Sequence, residues 1–150
     1  MERKRGNQKV AGQDKVVLDS SVIVKWFTTE DGSEKSVSYL DSFVKGSLSI
    51  VVTELVFYEV ANALRYSPDF TPTEVKSSID HLLNLKLDAK SLSAKLAEES
   101  AKIAFNCNVT FYDAVPVAIA NIEKVQCITA DRTSQFAKLS PKGYPIRLLE

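Results

Sequence analysis

Four acidic residues stand where an acid is hard to read as plain surface. Asp19 closes the apolar run Val16-Val17-Leu18 and is followed at once by Ser20 and Ser21. Glu59 has Leu55, Val56, Asn62 and Ala63 one helical turn away, and no lysine or arginine among them. Asp113 follows Phe111-Tyr112 and precedes Ala114-Val115, and Asp131 closes Cys127-Ile128-Thr129-Ala130. Taken singly, the three aspartates could cap helices and Glu59 could reach solvent by its length. Taken together, they point to one acidic site. Two carboxylates ~4 Å apart repel by about 4 kcal/mol at an effective dielectric near 20. Four gathered acids must therefore keep protons or hold a cation. An oxygen-only donor set selects a hard ion, Mg2+ or Mn2+ ahead of Ca2+. Such an ion activates water and stabilises the leaving oxygen in attack on a phosphodiester. Ser20, Ser21 and Thr129 add hydroxyls at the same strand ends.

The elements that must carry these acids follow from periodicity. Residues 16–18 read as a strand buried on both faces, and residues 22–27 as a helix capped by Ser20 or Ser21. Asp19 then lies at the carboxyl edge of a parallel sheet, where α/β folds bind ligands. A polar loop covers residues 28–32. Ser33 caps a helix to about residue 44, with Val37, Leu40 and Val44 as its stripe, and Gly46 ends it. Residues 48–52 form a second strand, and Thr53 caps a helix to about residue 66. Ser67-Pro68-Asp69 breaks the chain. Thr71, Pro72 and Glu74 carry the spacing of a capping box. A short strand is expected over residues 85–89 and a helix from Ser91 or Ser93 to 106. After a loop at residues 107–110, Pro116 requires the next helix to start near Tyr112 or Asp113, so that proline falls in its first turn. That helix runs to 124, followed by a strand (125–129), a short helix (131–139), a turn and a last strand (144–149). Strands alternating with helices define an α/β class with a central parallel sheet between helical layers.

The chain has 150 residues, 45% hydrophobic and 25% charged, and no net charge, the composition of one soluble domain. Nucleic-acid binding would need a local basic surface rather than overall charge. A single histidine, His81, excludes most histidine catalysis and the common zinc sites. Cys107 and Cys127 read as buried free thiols in a reducing cytoplasm. No apolar run is long enough for a membrane span, and no secretory segment opens the sequence. Residues 1–15, with Arg3, Lys4, Arg5, Lys9 and Lys15, read as a disordered basic arm preceding a domain over 16–150.

Four segments then resemble the PIN-domain ribonucleases, in particular the VapC-type toxin group. They are Leu18-Asp19-Ser20-Ser21-Val22-Ile23-Val24-Lys25-Trp26, Glu59-Val60-Ala61-Asn62-Ala63-Leu64, Thr110-Phe111-Tyr112-Asp113-Ala114, and Ile128-Thr129-Ala130-Asp131. The resemblance spans residues 16–149. It implies a three-layer α/β/α sandwich and a Mg2+- or Mn2+-dependent endoribonuclease. It further implies a homodimer, and an antitoxin whose C-terminal segment blocks the acidic pocket. The family's four acids fall on Asp19, Glu59, Asp113 and Asp131.

On this reading Asp19 and Asp113 are the principal metal ligands, Asp131 a further ligand, and Glu59 a second-metal ligand or a guide for the attacking water. Ser20 and Thr129 support them, and Lys25 and Arg132 are the nearest cations in sequence for phosphate. Trp26, Phe27 and Tyr112 could stack on bases, although their apolar neighbours favour packing. An RNA-processing nuclease without a toxin role, or a non-catalytic acidic metal-binding module, would use the same acids. A receiver domain would need an adjacent acidic pair. A haloacid-dehalogenase-like phosphatase would need Asp-x-Asp, where Ser21 stands instead.

Overall fold

The computed structural model describes residues 14–150. Five strands make one parallel sheet: β1 (Asp14–Leu18), β2 (Leu48–Thr53), β3 (Asp88–Lys90), β4 (Gln126–Thr129) and β5 (Ile146–Leu148). Their order across the sheet is β3-β2-β1-β4-β5. The chain moves outward from β1 through β2 to β3, then returns to place β4 on the other side of β1. The carboxyl ends of β1 and β4 are thus the point where strand order reverses, the usual crevice of such sheets.

Side chains alternate along the strands and build two cores. Val17, Val51, Cys127 and Ile146 face one layer, completed by Leu96, Ile103, Leu139 and residues 114–120. Val16, Leu18, Ile50, Val52 and Ile128 face the other, completed by Val22, Ile23, Val56, Val60, Leu64 and Leu82. Each fully buried Val, Leu or Ile contributes roughly 1.5–3 kcal/mol. The expected three-layer sandwich is the observed one, and the helices of the two chain halves take opposite faces.

Helix α1 (Ser20–Ile23) leaves β1 directly and passes into a 3-10 turn (Val24–Trp26). Its cap is Asp19, whose Oδ2 accepts from the Ser21 N–H at 3.0 Å, and not Ser20 or Ser21 as expected. In α2 (Ser33–Val44) the N-cap position is Gly32, at φ +88°, and Ser33 is the first helical residue. The packed face of α2 is Ser36, Tyr39 and Phe43, while Val44 on the expected stripe is 68% exposed. Apolar residues on several faces of this helix left the choice open, and the Trp26 Nε1–H, donating to Ser36 O at 2.9 Å, locks the observed one.

Thr53 stays in β2, and α3 (Val56–Arg65) begins after Leu55 without a side-chain cap. Helix α4 (Pro72–Asn84) has the expected capping box between Thr71 and Glu74. Strand β3 sits slightly later than the expected residues 85–89, because Leu87 points into the core and pairing with β2 begins at Asp88. Ser93 caps α5 (Ala94–Cys107). Helix α6 (Phe111–Glu123) starts one step early, because the Thr110 hydroxyl accepts from the Asp113 N–H at 3.0 Å. Pro116 is therefore inside the helix and beyond its first turn. The carbonyl deprived of its helical partner belongs to Tyr112, 63% exposed, where water can serve it.

The short helix expected over residues 131–139 is a π-turn (Arg132–Phe136) followed by α7 (Ala137–Leu139) and a 3-10 turn. The last strand is shorter than expected, since Tyr144 and Pro145 lie outside it. Asp14 and Lys15 belong to β1, not to the basic arm; the rest of that arm lies outside the described residues. Cys107 and Cys127 are buried free thiols and His81 is exposed. Among the described residues, no single helix is long and apolar enough to cross a membrane.

Candidate acidic site at the strand-order reversal

The ends of β1 and β4 are tied directly: the Asp19 N–H donates to Ile128 O at 3.0 Å. Asp19 thus stands one residue beyond β1 and Asp131 two beyond β4, at the same end of two neighbouring strands. Glu59 comes from α3, which packs on α1, and Asp113 from the first turn of α6. Two layers and two strand ends each deliver one acid to this edge.

Their charges act on one another. Burial, then the charge of Asp19, pushes the Glu59 carboxyl up to about 7, although a Ser20 hydrogen bond opposes this and Asp113 adds to it. Burial and then Asp19 also raise the Asp113 carboxyl, against the Thr110 hydrogen bond. Partial burial works against ionising Asp131. The Ser134 hydroxyl and the N–H groups of Ser134, Thr133 and Gln135 outweigh it and hold that carboxyl below its usual range. Both Asp131 oxygens are engaged this way: Oδ1 accepts from the Ser134 N–H at 2.9 Å and Oδ2 from its hydroxyl. Asp131 is therefore a helix cap as well as a member of the pocket.

The hydroxyls lie between the acids. Ser21 Oγ accepts from the Ala130 N–H at 2.9 Å and sits 3.3 Å from Thr129 Oγ1. Thr129 Oγ1 accepts from the Asp131 N–H at 3.0 Å. The two expected phosphate cations are engaged with acids of their own. Lys25 Nζ donates to Glu30 Oε1 at 3.1 Å and to Asp31 O at 2.8 Å, and Arg132 pairs with Glu150 at 3.5 Å. Among the described residues, Lys138 is a cation whose charge reaches the acids: it bears on Asp113 and donates to Asn108 O at 3.2 Å. Sequence reasoning passed over it because it is seven residues from the nearest acid, on the far side of the π-turn. Trp26 and Phe27 pack into the core, whereas Tyr112, expected to pack, is exposed beside Asp113.

Among the described residues, no three His, Cys, Asp or Glu side chains form a group able to hold a metal ion as they stand. What the acids share is mutual repulsion across a pocket of hard oxygen donors. That chemistry fits a divalent cation. Asp19, Glu59, Asp113 and Asp131 are the residues available to it.

A five-stranded parallel sheet between helical layers, with coupled carboxylates at its strand-order reversal, defines an α/β domain with an acidic pocket. The chain belongs to the PIN domain family, whose model matches residues 16–140. Among curated proteins, none matches the sequence. Solved structures of the same fold include DNA-bound VapBC from Salmonella typhimurium, at TM-score 0.65 and 13% identity over 91% of this chain and 99% of that one. A toxin-antitoxin complex from Klebsiella pneumoniae aligns at TM-score 0.64 and 13% identity, over 90% of this chain and 98% of that one. VapC20 from Mycobacterium tuberculosis, described as a sarcin-ricin loop cleaving toxin, aligns at 0.64 and 13%, over 86% and 95%.

Proposed function

We propose that this chain is a Mg2+- or Mn2+-dependent endoribonuclease acting in the cytoplasm as the toxin of a toxin-antitoxin pair, as a homodimer. The observation that carries the reading is the gathering of Asp19, Glu59 and Asp113 at the strand-order reversal, where burial first and the neighbouring carboxylates second push Glu59 up to about 7. Membership of the PIN domain family supports it, as does the likeness to structures described as toxins and toxin-antitoxin complexes.

A divalent ion supplies the positive charge that neutralises the carboxylates and lowers the pKa of a water. Asp19 and Asp113 would hold such an ion, with Asp131 as a further ligand. Glu59 would orient the attacking water and accept its proton. The water oxygen would bond to phosphorus as the bond to the 3′-oxygen breaks, that oxygen taking up a proton from solvent, to leave 5′-phosphate and 3′-hydroxyl ends. Lys138, whose charge bears on Asp113, is the residue we assign to hold the phosphate.

A mixed RNA pool incubated with Mg2+ or Mn2+, followed by end mapping, tests this. Cleavage lost in EDTA, with 5′-phosphate ends, is expected. Cyclic-phosphate ends formed without metal would overturn it. Co-expression with the product of a neighbouring small gene is expected to suppress the activity if the toxin role holds.

A further inference from the structure

Gln135 is the buried polar side chain that sequence reasoning missed. It is 0% exposed, the only fully buried residue of the π-turn. The turn closes through the Phe136 N–H donating to Asp131 O at 3.0 Å, one residue wider than an α-helical turn. That extra residue leaves 132–134 exposed and carries Gln135 inward, beneath the acids.

Its amide has one consistent orientation. Gln135 Nε2 donates to Asp113 O at 3.0 Å and faces Asp19 Oδ1 at 3.4 Å, while Oε1 accepts from the Thr129 hydroxyl at 2.5 Å. Turning the amide over would set Oε1 against two oxygens that can only accept. The remaining protons then follow. Thr129 spends its hydrogen on Gln135, so Ser21 donates to Thr129 and accepts from Ala130. One side chain therefore joins the end of β1, the end of β4 and the first turn of α6. Elsewhere the Asp19 carboxylate is held by the Ser21 N–H, on its other oxygen.

We propose that Gln135 is the positioning residue that fixes Asp19 against Asp113 across the acid pocket, and so sets the spacing at which the pocket grips a divalent ion. This rests on the metal-dependent reading above. It touches neither ion nor substrate, and acts through the rotamer of one carboxylate and the main chain of the other. Partners of this kind typically govern metal affinity 10–100-fold.

The test compares wild type with Gln135→Met and Gln135→Asn, which respectively remove the amide and shorten its reach. Mn2+ binding is read by calorimetry or electron paramagnetic resonance, and folding by the melting temperature in EDTA. Folded variants are expected to bind Mn2+ about 10–100-fold more weakly. On RNA, kcat is expected to fall while KM holds, since the side chain is out of reach of substrate. A merely structural role would lower melting temperature and leave the Mn2+ affinity of the folded protein unchanged, which would overturn the proposal. A wild-type measurement stands independently of whether the variants fold. The Gln135 side-chain amide protons should resist exchange in D2O and shift on Mg2+ titration; exchange as fast as that of an exposed glutamine overturns the proposal. Wild-type protein that binds no Mn2+ removes the nuclease reading itself, and the inference with it.

Discussion

Glu59 and Asp19 stand in each other's electric field: burial first, and the Asp19 charge second, push the Glu59 carboxyl up to about 7. Below about pH 4.5, folded and unfolded chains both hold this proton. Between 4.5 and 7 the unfolded chain loses it and the folded one keeps it, so stability falls as pH rises, and the deficit is complete above 7. Asp113, raised as well, adds to the fall from about 3.8 upward, whereas the stability linked to Asp131, lowered, is gained below 3.8 and is already complete in this window. A fully buried shift of this size would amount to about 3 kcal/mol, and half-exposure cuts it to about 1–2 kcal/mol. Metal-free protein should therefore melt about 3–6 °C lower at pH 8 than at pH 5 through Glu59 alone. Glu59→Gln should remove most of that difference by raising the pH 8 value, as differential scanning calorimetry in EDTA would show.

Replacing Asp19 should be felt at Glu59. Asp19→Asn removes the charge but not the burial, so the Glu59 carboxyl should titrate lower than in wild type yet above an exposed glutamate. Carbon-detected NMR titration of the glutamate carboxyls reads this directly. Asp19→Asn and Asp113→Asn should both lose RNA cleavage; Asp113→Asn should melt no lower than wild type at neutral pH without metal, whereas Asp19→Asn exchanges one accepting oxygen for an amide nitrogen and gives up the hydrogen bond from Ser21 or from Gln135, a cost of about 1 kcal/mol. An unchanged Glu59 titration would mean that the two side chains do not face one another.

Lys138 and Lys25 should separate in RNA binding. The Lys25 charge is met by Glu30 at 3.1 Å, whereas Lys138 donates to a main-chain carbonyl and bears on Asp113. With cleavage blocked by Asp113→Asn, adding Lys138→Ala should weaken binding of single-stranded RNA. It should also reduce the slope of log affinity against log salt by about 0.7, one phosphate contact. Lys25→Ala should leave the slope unchanged. Filter binding over a range of salt concentrations measures both.

Thr71→Ala provides the contrast of a purely structural change. Its hydroxyl accepts from the Glu74 N–H at 3.3 Å, while the Glu74 carboxylate accepts from the Thr71 N–H at 2.9 Å. Losing the cap should cost about 1 kcal/mol, or about 2–4 °C of melting temperature, and leave Mn2+ affinity unchanged.

The parallel sheet, its two-sided burial and the strand-end placement of Asp19 and Asp131 were legible because each has a local signature. Val16-Val17-Leu18 and Cys127-Ile128 are runs too apolar for surface, and an acid directly after such a run marks a strand edge. The Thr71 box was legible for the same reason, being complete within four residues. What stayed hidden depends on distant neighbours. Nothing local tells Ser36, Tyr39 and Phe43 from Val37, Leu40 and Val44 as the packed face of α2, since Trp26 decides it. Pro116 argued for a later start to α6, but Thr110 caps the helix and burial of residues 114–120 holds the proline inside it. Gln135 lies in Arg132-Thr133-Ser134-Gln135, a polar stretch that reads as surface. Only the added residue in that turn sends the glutamine inward, and a one-residue change of hydrogen-bond register leaves no mark in composition.

The return of the chain to lay β4 beside β1 sets an order of events during synthesis. The contacts joining Asp19 and Ser21 to Thr129 and Gln135 bridge 108 and 116 positions of chain. A polypeptide still growing on the ribosome thus carries Asp19 and Glu59 long before the strand that assembles the site has emerged, and Asp113 only shortly before it. Whatever chemistry the pocket performs, it is withheld until β4 and the turn after it have left the ribosome.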